Sequence, residues 1–397
     1  MNKFKIMTIV LLSLVVNASG MTRQQLSQVM VTKDGNFNYW TEGSAVLAML
    51  KSYVSEVTDE QSEKFIPKED RIAVFDMDGT LISETTSYYT GWMLWEDFVR
   101  RYPDKVSAEN VALAEKLYDM IYNRKTVEGD FELIQAQYQN ECFEGMTMQE
   151  YHDYVRTWMD STPTTGMDNM KIGEAIYVPM LEIVSYLTAN DFIVYIVSGA
   201  DRGLVRATID GVMNIPKRRC IGSDIEVKSS MQGDNDSRTY TMKAGEKVVR
   251  GAATLINVKS NKIKNITEEI GQQPVLAFGN STGDFSMFRY VTQDNAYASA
   301  AFCLLCDDTE RDYGNLTKAA SVKATCDENG WHTVSMRDDW KTIYGYDVTK
   351  TESTAVQSVN SRNISDTESS VAYTLQGIRA TSSDKGVIIT NGMKQTK

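Results

Sequence analysis

The sequence predicts an α/β protein: a parallel sheet covered on both faces by helices, with a helical insert after the first strand. Three observations carry this. Short apolar, β-rich runs recur at Arg71–Asp76, Phe192–Val197, Pro274–Gly279 and Ala300–Leu305, and longer helical stretches separate them. Residues 85–180 are rich in Tyr, Trp, Met, Glu and Arg, with apolar residues at helical spacing, which predicts a small helical subdomain. The chain of 397 residues is 42% hydrophobic and 24% charged. That is enough for roughly two to three domains, and it excludes a collagen-like, wholly disordered or polytopic membrane protein.

The elements come in this order. Residues 1–20 have a basic start, an apolar run from Ile6 to Val16, and small residues at Ala18-Ser19-Gly20. This is the layout of a secretory signal peptide, and the run is too short to span a bilayer. Residues 21–84 hold a polar N-terminal segment, with a helical stretch around Ala45–Val57, and then the first strand. The helical insert occupies 85–180, and residues 181–348 return to strands and helices, with a hairpin excursion predicted over 221–245. Residues 349–370 are rich in Ser, Thr, Asn and Glu and read as a linker. Residues 371–397 return to alternating β-like sequence. The cysteines are Cys142, Cys220, Cys303, Cys306 and Cys326, an odd set. The single C-x-x-C at Cys303 and Cys306 reads as buried small residues in and after a strand rather than a metal or redox site.

Charge and composition narrow the chemistry. Asp plus Glu number 53 against 41 Lys plus Arg, a net charge of −12, which disfavours a nucleic-acid partner. Only two histidines exist, His152 and His332. A multi-histidine zinc site or a Ser-His-Asp triad would have almost nothing to draw on, so carboxylates are the expected agents.

The residues just past each strand are informative, because ligands of open α/β sheets bind beyond the carboxyl ends of strands. The first strand ends in Asp76-Met77-Asp78-Gly79-Thr80, the second in Ser198-Gly199-Ala200, and the third in Gly279-Asn280-Ser281-Thr282-Gly283-Asp284. A basic, helix-like segment between the last two supplies Lys259, Lys262 and Lys264. Displacing a phosphoryl group needs a nucleophile, a proton donor to the leaving oxygen and positive charge. Asp76 suits the nucleophile, and Asp78, two residues on, the acid/base. Gly79 permits a sharp exit from the strand. Ser198 and the Gly199 amide are expected to bind phosphate at a helix start.

These four motifs, in this order, resemble the haloacid dehalogenase superfamily, and within it the phosphoserine-phosphatase-like branch. The resemblance covers roughly residues 38–346, and NKIKNITEEIGQQPVLAFGNSTGDFSMF and GWHTVSMRDDWKTIYG are similar to segments of exported phosphatase-like members. It implies a Rossmann-like core with a type 1 cap inserted after the first motif, and a magnesium-dependent phosphomonoester phosphatase that works through an aspartyl-phosphate. Asp76, the Asp78 carbonyl, Asn280 and Asp284 would hold Mg2+. Thr80, Ser198, Gly199 and a lysine would bind phosphate. Many relatives carry Asp where Asn280 stands, which leaves open which of Asn280 and Asp284 touches the metal. Lys262 matches the family spacing to Gly271 best, with Lys259 as the alternative.

A type 1 cap favours a small phosphorylated substrate. Glu84, Tyr88, Tyr89, Trp92 and Trp95 lie just past the catalytic loop and read either as a specificity surface for a cationic headgroup or as packing within a helical bundle. Other expectations compete. A phosphomutase shares the aspartyl-phosphate but must keep water out, and a catalytically silent, surface-displayed binding protein would use the scaffold alone. A dehalogenase has no need of Asp78, and no cap lysine stands out for a phosphonatase. The segment YTLQGIRATSSDKGVIITNGMKQTK resembles the C-terminal sorting tails of type IX secretion. The resemblance implies passage through outer-membrane secretion machinery; without it, an exported chain stays in the periplasm.

Overall fold

The computed structural model describes residues 20–84, 88–123, 125 and 131–351, with three short strands in the C-terminal segment. The predicted signal peptide, apart from Gly20, and residues 352–370 of the predicted linker lie outside the described residues. The chain divides into two units, the first ending at Thr351 and the second running from Glu352 to Lys397.

The first unit opens with α1 (Arg23–Leu26) and α2 (Ala45–Thr58), the latter capped by the Ser44 hydroxyl. This N-terminal segment is less polar in effect than its composition predicts. Leu26, Val31, Trp40, Leu50, Val54 and Val57 are all buried. Trp40 meets Trp340 edge-on at 6.2 Å, so the start and end of the unit share one core.

The first strand, β1 (Ile72–Phe75), leads into the helical insert: α3 (Thr90–Arg101), α4 (Ala108–Tyr122), α5 (Phe131–Glu141) and α6 (Met148–Ser161). Their apolar faces enclose a core of their own around Trp92, Trp95, Phe98, Phe143 and Trp158. The insert returns through β2 (Met167–Asp168). The next helix, α7 (Val178–Ala189), already belongs to the sheet layer, so the helical insert proper ends before residue 180.

The chain then lays down β3 (Ile193–Asp201), α8 (Arg202–Ile209), β4 (Cys220–Ser229), β5 (Val248–Leu255), α9 (Ser260–Glu269), β6 (Leu276–Gly279), α10 (Phe285–Thr292), β7 (Ala300–Leu305), α11 (Leu316–Asn329) and β8 (His332–Ser335). The sheet order is β5-β4-β3-β1-β6-β7-β8. Every pairing is parallel except β4 with β5. The α/β class therefore holds. The predicted excursion is the β4–β5 hairpin, which runs wider than 221–245 because β4 first pairs with β3 as a sheet strand. Strand β8 leaves little trace in the sequence because its four residues are short and mostly half-buried. The last short strand of the unit, β9 (Thr349–Lys350), pairs with β2, so the linker boundary moves from 348 to 351.

Side chains alternate between the two faces of the sheet, and both faces are covered, which is why its strands read as continuous apolar runs. Phe75, Ile196, Phe278 and Phe302 point to the α2 and α7 side, and Val74, Val197, Ala277 and Ala301 to the α9, α10 and α11 side. Phe75 stacks on Phe278 at 4.3 Å and Phe278 on Phe302 at 5.1 Å. This ladder sets the register of three strands one residue before Asp76, Gly279 and Cys303. All five cysteines are buried and unbridged. No helix among the described residues is long and apolar enough to cross a membrane.

In the second unit β10 (Ala372–Thr374), β11 (Val387–Thr390) and β12 (Met393–Thr396) form an antiparallel sheet in that order. The rest of the predicted sorting tail lies outside the described residues.

Candidate active site

The ends of β1 and β6 meet first. Asp76 N–H donates to the Phe278 carbonyl at 2.9 Å, so the parallel register carries Asp76 to the tip of the neighbouring strand. The loop then folds back on itself. Leu81 and Ile82 amides donate to Met77 O at 2.8 and 3.0 Å, and Gly79 N–H donates to Ile82 O at 2.7 Å. Gly79 has φ +78°, and a Cβ there would collide with the Asn280 amide and fall 2.7 Å from the Glu84 carboxyl carbon. Only glycine lets the first and fourth motifs approach so closely. Thr80 is fully buried, and its hydroxyl points back to Asp76 Oδ2 at 3.4 Å.

The third motif supplies the counter-charge. Lys262 lies in the first turn of α9 and is 3% exposed, with its Nζ 2.6 Å from both Asp76 Oδ1 and Asp284 Oδ1. Lys259 is not on the helix, contrary to the expectation that the basic segment is helical throughout. It occupies the N-cap position with φ 53° and an exposed side chain, and its amide donates to Gly283 O at 3.0 Å. A chain that turns sharply into a helix at residue 259 throws that side chain outward and brings Lys262 inward one turn later. Lys264, farther along, pairs with Glu268.

Asp284 serves the protein with both oxygens. Oδ1 meets Lys262, while Oδ2 accepts from the amides of Asn280 at 3.0 Å and Ser281 at 3.1 Å. Asn280 is buried with its side chain against Gly79.

The second motif departs from its expected setting. Ser198 and Gly199 lie within β3 and not at a helix start, because β3 continues to Asp201 through a register shift against β4. Helix α8 begins at Arg202, capped by the Asp201 carboxylate. The Ser198 hydroxyl, fully buried, accepts from Ala200 N–H at 3.1 Å. Its carbonyl accepts from Asn257, which in turn accepts from Asn265 of α9. That chain ties the second motif to the Lys262 helix.

The electrostatics are those of a site short of positive charge. Burial, and then the Asp284 carboxylate, hold the Asp76 carboxyl far above the usual carboxylate range despite Lys262. Burial lifts Asp78 to about 6 against a backbone hydrogen bond, Thr90 N–H to Asp78 Oδ1 at 3.0 Å. Burial alone would lower the Lys262 ammonium, but Asp284 and Asp76 raise it to about 12. No group of three Asp, Glu, His or Cys among the described residues is gathered tightly enough to hold a metal as it stands. With Asp284 engaged, oxygens of Asp76, Asp78 and Asn280 remain, a donor set that suits a hard, oxygen-seeking cation. The surplus of buried carboxylate is consistent with one.

The residues past the loop divide. Trp92 and Trp95 are buried in the insert's own core against Phe131, and Trp95 Nε1 donates to Asn110 at 2.6 Å, so these two are packing. Tyr89 packs edge-on against Trp92 at 4.8 Å, and the Tyr88 hydroxyl donates to Lys125 O at 2.8 Å. Glu84 forms an ion pair with Lys318 of α11. No motif surrounds Lys318, so its place beside the site carries no signal in the sequence.

A family model for haloacid dehalogenase-like hydrolases matches residues 73–289, more than half of the chain. The chain belongs to that family. The match begins one residue into β1 and ends within α10, so it takes in all four motifs and the insert. Solved structures similar to this haloacid dehalogenase-like hydrolase include a conserved protein of unknown function from Anaerococcus prevotii DSM 20548, 14% identical over 77% of this chain and 94% of that one, with a TM-score of 0.48. Cytosolic 5′-nucleotidase IIIB bound to cytidine is 11% identical over 74% and 86%, with a TM-score of 0.44. A phosphoserine phosphohydrolase-like protein from Francisella tularensis subsp. tularensis SCHU S4 is 14% identical over 59% and 87%, with a TM-score of 0.34. No curated protein sequence matches the chain.

Proposed function

We propose that this family member is a magnesium-dependent phosphomonoester phosphatase of the phosphoserine-phosphatase-like branch, acting on a small phosphorylated metabolite through an aspartyl-phosphate on Asp76. The observation that carries the reading is the buried Asp76–Lys262–Asp284 bridge at the ends of β1 and β6, with Asp78 beside it. Lys262 holds Asp76 in place, neutralises part of its charge and offers an ammonium to a phosphate oxygen. An Asp76 carboxylate oxygen attacks phosphorus and the bond to the leaving oxygen breaks. The Asp78 carboxyl gives its proton to that oxygen, releasing the alcohol. The resulting Asp78 carboxylate takes a proton from water, the water oxygen attacks phosphorus, and the bond to Asp76 breaks. Inorganic phosphate leaves with Asp76 free and Asp78 protonated again.

Ser198 and the Gly199 amide bind phosphate oxygens from the end of β3, and Thr80 steadies Asp76. Mg2+, which family members generally use, would be held by Asp76, Asp78 and Asn280, with Asp284 fixing Lys262 and the Asn280-Ser281 amides behind it; it would supply charge for the incoming phosphate. The helical insert would exclude water during transfer. A phosphate-release screen of metabolites, with an aryl phosphate as the generic substrate, tests the reading. Release by the wild type and none by Asp76→Asn supports it, and equal release by both overturns it.

We further propose export, by residues 1–20 as a cleaved leader and 371–397 as a sorting tail. N-terminal and C-terminal sequencing of the mature protein, with fractionation between periplasm and surface, tests both parts.

A further inference from the structure

One half-buried ion pair beside the reacting groups has no part in the proposed phosphoryl transfer. Glu84 and Lys318, 234 positions apart in sequence, join the end of the catalytic loop to the first turn of α11. The Glu84 side chain is 8% exposed and that of Lys318 34%, so one flank of the lysine stays open to solvent. Asn315 caps α11 by accepting from Lys318 N–H at 2.9 Å, which fixes where the lysine starts. The Glu84 carboxylate keeps the Lys318 ammonium firmly charged despite burial, with Cys306 and Asp284 also in range. The Glu84 carboxyl carbon stands over Gly79, next to the Asn280 amide and one residue from Asp78. Glu84 is also among the charges that raise the Asp78 carboxyl. Asp78 is the group that hands its proton to the leaving oxygen, so a charge beside it lies on the leaving-group side.

We propose that Lys318 is a specificity-determining residue: by neutralising Glu84 it withdraws that carboxylate from the leaving-group side of the site, so the enzyme prefers phosphomonoesters with an uncharged leaving group over those bearing an ammonium. The inference rests on the phosphatase reading. An ammonium loses its water on entering the site, and Glu84, already paired with Lys318, does not offset that loss. Trp92 and Trp95 do not replace that acceptor, since both are spent in the insert's core. Removing Lys318 would free Glu84, and one unit charge about 8–10 Å away at an effective dielectric of about 20 changes discrimination by on the order of tenfold.

The test compares phosphocholine with 3,3-dimethylbutyl phosphate, which has the same shape with carbon in place of the charged nitrogen. The readout is the ratio of their kcat/KM values, cationic over neutral, in the full chain. The wild type should favour the neutral ester. Lys318→Met should raise the ratio by about tenfold, and Glu84→Gln, which leaves Lys318 unbalanced, should lower it by a similar factor. The double variant Glu84→Gln/Lys318→Met should return to within threefold of wild type, and Lys318→Arg should keep the wild-type ratio. If Lys318→Met fails to fold around its orphaned carboxylate, Glu84→Gln carries the test alone, because it leaves unpaired only a lysine with access to water. A ratio that moves in neither single variant, or a shift that persists in the double variant, overturns the role of Lys318 while aryl-phosphate turnover leaves the phosphatase reading standing. A wild type that releases phosphate from neither ester nor the aryl phosphate overturns the phosphatase reading itself, and this one with it.

Discussion

Two buried cation–carboxylate clusters in this protein use nearly the same ingredients for different ends. In the first, Lys262 is 3% exposed and bridges Asp76 and Asp284 at 2.6 Å. In the second, Arg250 of β5 is 2% exposed and meets Asp201 at 2.8 Å. The Arg250 cluster is balanced: one cation faces one carboxylate, Asn140 of α5 accepts from the guanidinium at 3.2 Å, and Tyr151 of α6 lies under it at 3.8 Å. Its backbone is engaged too, since Arg250 N–H donates to Met146 O at 2.8 Å and its carbonyl accepts from Gly145 at 2.9 Å. This cluster pins the second half of the helical insert to the β4–β5 hairpin. The Lys262 cluster sets one cation against two carboxylates, with Asp78 close by, and so stays hungry for positive charge. Burial alone does not mark a site. Imbalance at the ends of the strands does, because buried carboxylates left short of positive charge cost stability.

The comparison can be broken at either cluster. Asp76→Asn should lower aryl-phosphate turnover by at least about a thousandfold, since the remaining groups bind phosphate but form no covalent intermediate. The variant should melt at or above the wild-type temperature. Asp76 holds its proton more tightly folded than unfolded, so in metal-free protein stability falls as pH rises above about 4, and the substitution should flatten that slope. A sharp drop in melting temperature would make Asp76 a structural residue like Asp201. Exhaustive chelation with EDTA should abolish turnover and added Mg2+ restore it; full activity after chelation would remove the metal from the scheme.

Lys262→Ala should cut turnover by about a hundredfold or more and weaken inhibition by inorganic phosphate, while also costing about 3–5 kcal/mol of stability by leaving two buried carboxylates unpaired. Arg250→Met should show the reverse profile, with a similar stability loss of about 3–5 kcal/mol but less than a tenfold change in turnover at low temperature. If the two variants had the same profile in urea unfolding and kinetics, the contrast would fail. Lys259→Ala should stay within about threefold of wild type in turnover and about 0.5 kcal/mol in stability, as expected for an exposed side chain. The opposite ranking of the two lysines in phosphate-inhibition constants would reassign the third motif.

Much of the fold and the site is legible along the chain. Apolar runs ending in Asp76, Ser198 and Gly279 announce strands whose tips carry polar groups, and the structure sets β3, β1 and β6 side by side. Spacing alone cannot choose between Lys259 and Lys262, since residues three apart share a helix face. The backbone makes the choice: a positive φ at Lys259 starts the helix there and turns that side chain away. Nor can spacing reveal that β3 runs on past Ser198 to Asp201 before a helix starts, because a register shift between β3 and β4 leaves no signature in the residues between them.

What the sequence determined by itself is local: which segments are strands or helices, that a helical insert comes after the first strand, and that carboxylates, a serine and lysines stand at strand ends. Those features come from the periodicity of apolar residues and from the few residue types that can do the chemistry. Tertiary structure decided the partnerships. Asp284 turned to Lys262 and to the Asn280 amide, Arg250 locked a hairpin to the insert through Asn140, and Lys318 found Glu84. Each pairs residues from 4 to 234 positions apart, and charge–charge energy depends on distance in space and on burial. Neither quantity exists until the sheet has brought its strands side by side.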